Sequence, residues 1–232
     1  MLATIINAAA IIIGSLAGLF VRKGIPERLQ KVIFQAAGMI SLVVGFQMAL
    51  RTTHILAFSV ALILGGLAGT LLDIEGGILK FGERLKRRFS GGSEDSTFAL
   101  GFLNASVLYC TGAMAIVGSF KAGTEGDFSL ILTKSVLDGI MSVIFASAMG
   151  PGVIFSALSV FVYQGLLTVG STWVKPFVSD IMLTELTGVG GALVVMVGLG
   201  LLDLKKLKTG DFLPALVFII LLVLAFPFVP FL

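Results

Sequence analysis

The stretch MLATIINAAAIIIGSLAGLFV, residues 1–21, contains no Asp, Glu, Lys or Arg, and its reading decides the class of the whole chain. A helix needs about 20 mostly apolar residues to cross about 30 Å of hydrocarbon. Comparable stretches recur at 32–50, 54–73, 98–120, 130–149, 152–173, 184–203 and 212–231, and only 130–149 carries charges well inside it. The pattern predicts an all-α polytopic membrane protein with about eight transmembrane helices.

Composition agrees. Hydrophobic residues make up 57% of the 232 and charged residues 12%, against about 25% charged in an ordinary soluble domain, so most of the surface must meet lipid. A net charge of +3 points to a membrane surface rather than to nucleic acid, because the basic residues fall in short clusters between the apolar stretches. The lone cysteine, Cys110, lies inside an apolar run, which excludes an intrachain disulfide framework and a Cys-rich metal site. Residues 1–21 have no basic start, and Arg22 and Lys23 follow the apolar run, so the first span is expected to be retained rather than cleaved as an export signal.

Basic residues in short loops favour the cytoplasmic side. With the N-terminus outside, 12 of the 16 basic residues fall inside: Arg22, Lys23, Arg28, Lys31, Lys80, Arg84, Lys86, Arg87, Arg88, Lys205, Lys206 and Lys208. Turn chemistry places breaks at Arg22 to Pro26, at Gly150-Pro151-Gly152 and at Thr209-Gly210-Asp211. Residues 76–90 read as a basic interfacial helix, with Ile78, Phe81, Leu85 and Phe89 on one face and Lys80, Arg84, Arg87 and Arg88 toward the lipid surface. Gly91, Gly92 and Ser93 follow as a flexible joint.

An offset of 153 residues lays Gly38 and Gly45 of the second span on Gly191 and Gly198 of the seventh. Spans one to three would then be repeated, inverted in the membrane, as spans six to eight. The chain divides on this reading into a first repeat (1–75), a cytoplasmic helix and linker (76–97), central helices (98–150) and a second repeat (151–232), all within one integral membrane domain. Gly14 and Gly18, and Gly65 and Gly69, stand one turn apart and signal close helix packing, within one chain or between two copies. Small residues around Gly112 to Ser119 are expected to let the fourth span unwind.

Asp138 is the most informative single residue. About nine positions into a helix rising 1.5 Å per residue, it sits about 13 Å deep, where a charge costs at least about 2.5 to 3.5 kcal/mol and signals a site by default. Lys134, one turn earlier, is its expected partner. Two readings stay open: a structural ion pair, or a carboxylate that binds a proton or cation and is countered by Lys134. Glu185 follows Ser179-Asp180, a normal helix cap, and either reaches water or complements the helix dipole near the outer surface, or turns inward to the depth of Lys134. Asn7, Tyr109, Thr111 and Gln164 offer neutral polar groups at matching depth. His54, without a second ligand, suggests no metal. No catalytic signature is present, so an enzyme is not expected, and neither is a cofactor.

At Ala113-Met114-Ala115-Ile116-Val117-Gly118-Ser119, Leu132-Thr133-Lys134-Ser135-Val136-Leu137-Asp138-Gly139 and Leu71-Leu72-Asp73-Ile74-Glu75-Gly76, the chain resembles the YdfK/YqgA-like prokaryotic membrane proteins, domain-of-unknown-function family 554. The resemblance covers nearly the whole length. It implies a multi-pass protein of the prokaryotic inner membrane and carries no activity with it. The residues themselves point to a small secondary transporter of an ion or small polar solute, coupled to a proton or cation through Asp138. Lys134, Glu185, Gln164, Thr111, Tyr109 and Asn7 would share the pathway. The alternatives are an ion or small-solute channel and a non-transporting membrane scaffold or sensor. Expected partners are the lipid bilayer, a small solute or ion and a second copy in a homodimer, with no nucleic acid.

Overall fold

A computed structural model of the chain describes residues 1–23, 26–89, 97–110, 113–174 and 178–225, and all regular structure among them is helical. The helices are α1 (Leu2–Lys23), α2 (Glu27–Ala49), α3 (Ile55–Leu71), α4 (Ile74–Phe89), α5 (Phe98–Cys110), α6 (Ala113–Thr124), α7 (Ser129–Met149), α8 (Ser156–Val174), α9 (Asp180–Leu201) and α10 (Ala215–Ala225). Short 3-10 helices precede α8 (Pro151–Phe155) and α10 (Thr209–Phe212). Five segments are long and apolar enough to cross a membrane unbroken: Leu2–Arg22, Lys31–Ala49, Ser129–Met149, Pro151–Ser171 and Asp180–Leu201. The α3–α4 and α5–α6 pairs reach that length only together, bent by 57° and 59°. Thus each of the eight expected stretches holds a helix, but two meet a break and the last is short.

The local rules of helix ends are legible throughout. Gly150 takes φ 85, a left-handed conformation open to glycine, and its N–H bonds back to Ala146 O at 2.9 Å to close α7. Ser179 caps α9 by accepting from Met182 N at 3.1 Å, as expected. Helices α3 and α9 both end in Leu-Leu-Asp, with Asp73 at φ 48 and Asp203 at φ 55, a position that short polar side chains tolerate. The Gly24-Ile25 part of the first turn and the Gly91 to Ser93 joint lie outside the described residues. Thr209 to Asp211, expected as a simple turn, is a buried 3-10 helix.

The chain forms two compact units. The first comprises Met1–Ala37, Leu79–Cys110 and Met114–Phe177. Within it α1 lies parallel to α7, with Gly14 against Gly139 and Gly18 against Val143. A Cβ on Gly14 would come within 2.2 Å of Gly139 O, and one on Gly18 within 2.3 Å of Val143 O. The amphipathic α4 rests on α5, through Phe81 on Phe102 (ring centroids 6.0 Å apart) and Gly82 on Ala99. Lys80 and Arg84 are exposed, while the side chains of Arg87 and Arg88 lie outside the described residues.

The second unit comprises Gly38–Ile78, Thr111–Ala113 and Val178–Leu232. Here Gly65 and Gly69 of α3 admit the backbone of Ala215 and Asp211, so both small-residue stripes are used within the chain rather than left for a second copy. Glu75 N donates to Asp211 Oδ1 at 2.9 Å, and Gly210 N donates to Glu75 Oε2 at 2.8 Å. Each carboxylate thereby satisfies a backbone N–H of the other segment.

The antiparallel crossing of α2 and α9 has reciprocal contacts. Gly38 meets Leu202 and Gly198 O, while Gly191 meets Ala49 and Gly45 O. Gly45 meets Val195 and Gly191 O, while Gly198 meets Leu42 and Gly38 O. Adding 153 to one partner of each pair and subtracting 153 from the other turns the first contact set into the second. The interface maps onto itself.

Candidate functional site

Helix α7 turns its charged residues and Ser135 and Ser142 inward and several of its large apolar residues outward, the reverse of a soluble helix. Ile131, Lys134, Ser135, Asp138, Ser142 and Phe145 are buried, whereas Val136, Leu137 and Ile140 are at least half exposed, at 63%, 50% and 56%. In lipid this is the favourable arrangement, because polar groups find partners only inside the protein. Glycines on α1 let α7 approach closely enough for Asn7 to reach Asp138.

The site is built from four helices of the first unit, α1, α5, α7 and α8. Lys134 Nζ donates to Asp138 Oδ2, one turn along α7, and lies 5.7 Å from the centre of the Tyr109 ring, a cation–π contact. Asn7 Nδ2 donates to Asp138 Oδ2 at 3.1 Å and to Gln164 Oε1 on α8 at 3.1 Å. Tyr109 is fully buried, and its hydroxyl lies 2.8 Å from Ser142 Oγ. Sequence reasoning grouped Asp138, Lys134, Asn7, Gln164 and Tyr109, and the fold brings these five together. Thr111 lies outside the described residues.

The charge pair is engaged, but the amides beside it are not fully engaged. Four buried side-chain atoms lack a partner among the described residues: Thr4 Oγ1, Asn7 Oδ1, Ser15 Oγ and Gln164 Nε2. An unsatisfied buried polar group costs about 1 to 3 kcal/mol. All four belong to the seam between α1 and its neighbours in the first unit, and three are on α1 itself.

Glu185 belongs to the second unit. It does not reach water, being 0% exposed. Its carboxylate accepts from Thr52 Oγ1, Thr53 N at 2.8 Å, Thr53 Oγ1 at 2.9 Å and His54 N at 3.1 Å, with His54 Nδ1 at 3.2 Å. The cause is the start of α3. Its N-cap His54 provides no side-chain cap, so Glu185 supplies the acceptor for free N–H groups where the helix dipole also favours a negative charge. The Thr52-Thr53-His54 run, which no pattern from sequence singled out as a carboxylate receptor, could have been found as a donor-rich start to a helix lacking its own cap.

A family profile described as "Protein of unknown function (DUF554)" matches residues 2–224. The chain belongs to this family. It is 34% identical over 222 residues to the Bacillus subtilis (strain 168) protein called "Uncharacterized membrane protein YdfK", covering 93% of each chain. It is 27% identical over 214 residues to the Escherichia coli (strain K12) protein called "Uncharacterized protein YqgA", covering 91% of each chain. No solved structure matches. Family and helices agree on a multi-pass membrane protein.

Proposed function

We propose that this DUF554 protein is a small secondary transporter of the prokaryotic inner membrane, moving an ion or small polar solute with a proton or cation coupled through Asp138. The observation that carries the reading is the buried Lys134–Asp138 pair joined by Asn7 to Gln164. A purely structural pair gains nothing from neighbours that stay unsatisfied, whereas a carboxylate that must exchange its partner needs polar groups at hand. Lys134 serves as the counter-charge, Asn7 and Gln164 as solute ligands, and Tyr109 holds Lys134 in place.

Two features of the fold support alternating access. The reciprocal α2–α9 contacts are what an inverted duplication would produce, since spans two and seven then form one self-complementary crossing. The parallel run of α1 and α7 fits an even number of crossings between their starts, and so fits an N-terminus outside with the basic clusters within. Glu185 fastens the start of α3 to α9 as an outer clasp on this reading, and the basic face of α4 holds the cytoplasmic lipid surface.

The test is uptake by proteoliposomes across a panel of ions and small solutes, with proton flux followed by a pH-sensitive dye. Asp138→Asn is expected to abolish the coupled flux. A wild-type flux unchanged by this substitution would sink the reading. A channel is the second reading, favoured by the 59° bend between α5 and α6, and electrical recording of unitary currents far above carrier rates would select it.

A further inference from the structure

Ser15 and Thr4 carry the two buried hydroxyls that make no bond among the described residues. Ser59, Ser119, Ser135, Thr168 and Thr187 each donate to the carbonyl four residues back, the usual way a hydroxyl is satisfied inside a helix. Ser15, fully buried, forgoes that bond and has no partner among the described residues, and Thr4 Oγ1, Asn7 Oδ1 and Gln164 Nε2 likewise have none there. At 100° per residue, Thr4, Asn7 and Ser15 fall within about 80° of one another on α1, spread over about 16 Å of its length. The unpartnered atoms therefore form a file along a single buried stripe, with Gln164 facing it beside Asn7.

The chemistry of the file is neutral. The one charged pair in contact with it, Lys134–Asp138, is mutually engaged. Asn7 has both amide protons committed, to Asp138 and to Gln164, so what it offers is a carbonyl oxygen, an acceptor only. Gln164 has its oxygen taken by Asn7 and offers an N–H, a donor only. The hydroxyls of Thr4 and Ser15 serve either role. A metal or alkali cation calls for several oxygen ligands at once, and an anion calls for several donors. One dedicated acceptor beside one dedicated donor matches a solute that carries an N–H and a C=O on adjacent positions.

We propose that the solute is a small uncharged amide of the urea and acetamide class, bound with its N–H on Asn7 Oδ1 and its carbonyl on Gln164 Nε2, and passed along α1 by Thr4 and Ser15. This rests on the transport reading above and deepens it. Asp138, held by Asn7, then reports occupancy of the amide site to the charge pair.

The experiment reconstitutes the full chain in liposomes and follows osmotic re-swelling by stopped-flow light scattering with urea and with acetamide, beside rubidium, chloride and proton fluxes in the same vesicles. Amide entry is expected to exceed that of protein-free vesicles. It falls about tenfold in Gln164→Leu, the loss of one good hydrogen bond. Because Gln164→Leu also removes a packing contact, Ser15→Ala is the second variant: it deletes a hydroxyl that makes no bond, leaves folding intact and slows amide entry, whereas Gly77→Ala on the exposed start of α4 changes nothing. Amide entry equal to protein-free vesicles, with an ion or proton flux that depends on Asp138, overturns the amide assignment and leaves coupled transport standing. Water permeation without amides overturns it too. The absence of any protein-dependent flux overturns both.

Discussion

Asn7 stands between two helices as a shared donor, its Nδ2 at 3.1 Å from Asp138 Oδ2 on one side and at 3.1 Å from Gln164 Oε1 on the other. A single amide therefore ties α1 to α7 and α8 at once. Interhelical hydrogen bonds in bilayers are worth about 0.6 kcal/mol on average and about 1.7 at most. Asn7→Leu is expected to lower stability in detergent by about 1 to 3 kcal/mol for the two bonds together. Asn7→Asp is expected to lower it further, by setting a second carboxylate against Asp138. Equal thermal midpoints for the two variants would contradict this account.

Lys134 and Asp138 set up a charge cycle. Removing one partner of a buried pair typically costs about 3 to 5 kcal/mol, while removing both is often close to neutral. Lys134→Met and Asp138→Asn should each destabilise the protein, and the combined variant should recover most of the loss. Thermal denaturation of the four proteins measures the coupling. Flux should be absent in all three variants, which separates the role of the pair in folding from its role in transport.

The glycines rank themselves by what surrounds them. A Cβ on Gly191 would lie 2.3 Å from Ala49 N and one on Gly69 would lie 1.8 Å from Asp211 O, both backbone atoms that cannot swing aside. Gly191→Ala and Gly69→Ala should therefore cost about 1 to 3 kcal/mol or more by overpacking. Gly38→Ala meets the flexible end of Leu202 and should cost less. Gly77 and Gly200 have nothing within 4 Å, so alanine there should be neutral or stabilising by about 0.5 to 1 kcal/mol. Expression and thermal midpoints of the series check the order.

Glu185→Gln replaces an acceptor-only group by one that points N–H donors at the N–H groups of Thr53 and His54. Hydrogen bonds to a charged group contribute about 1.5 to 3 kcal/mol each, so the variant should lose at least one such increment. It should also raise amide hydrogen exchange at Thr53 and His54 relative to that at Ala61, past the first turn of α3. Unchanged exchange at the helix start would refute the clasp.

Asp127, in the loop before α7, is held below its ordinary 3.8 by the Ser129 hydroxyl at 2.6 Å and the Ser129 N–H at 3.0 Å. The sign follows from the depression. Its contribution is complete above the unfolded value and is lost as pH falls through the lower folded value. Asp127→Asn should therefore narrow the gap between wild type and variant on acidification, and carbon NMR of the Asp127 carboxyl reads the titration directly.

The helices were legible because burial in lipid leaves an all-round apolar signal that needs no periodicity. Ser179 and Gly150 were legible as local punctuation. Asp138 and Lys134 stood out because an i, i+4 spacing fixes their contact without knowledge of any other helix. Asn7 and Gln164 are 157 positions apart, and nothing local says that one donates to the other. Their depth could be read from sequence, but their pairing depends on how α1 and α8 turn. The receptor for Glu185 escaped for the same reason, since the 132 positions between Thr53 and Glu185 are closed only by tertiary packing. The bend after α5 could be anticipated from small residues, but its angle could not.

The crossing of α2 and α9 has a mechanical corollary. Contacts that pair off by position in this way, though with different side chains at the paired positions, would give a lopsided tilt a counterpart leaning the other way. On the transport reading, one surface would then serve both postures. To that extent, a substitution at one glycine of the crossing should bias the protein toward one posture, and the same substitution at the residue 153 positions away should bias it toward the other.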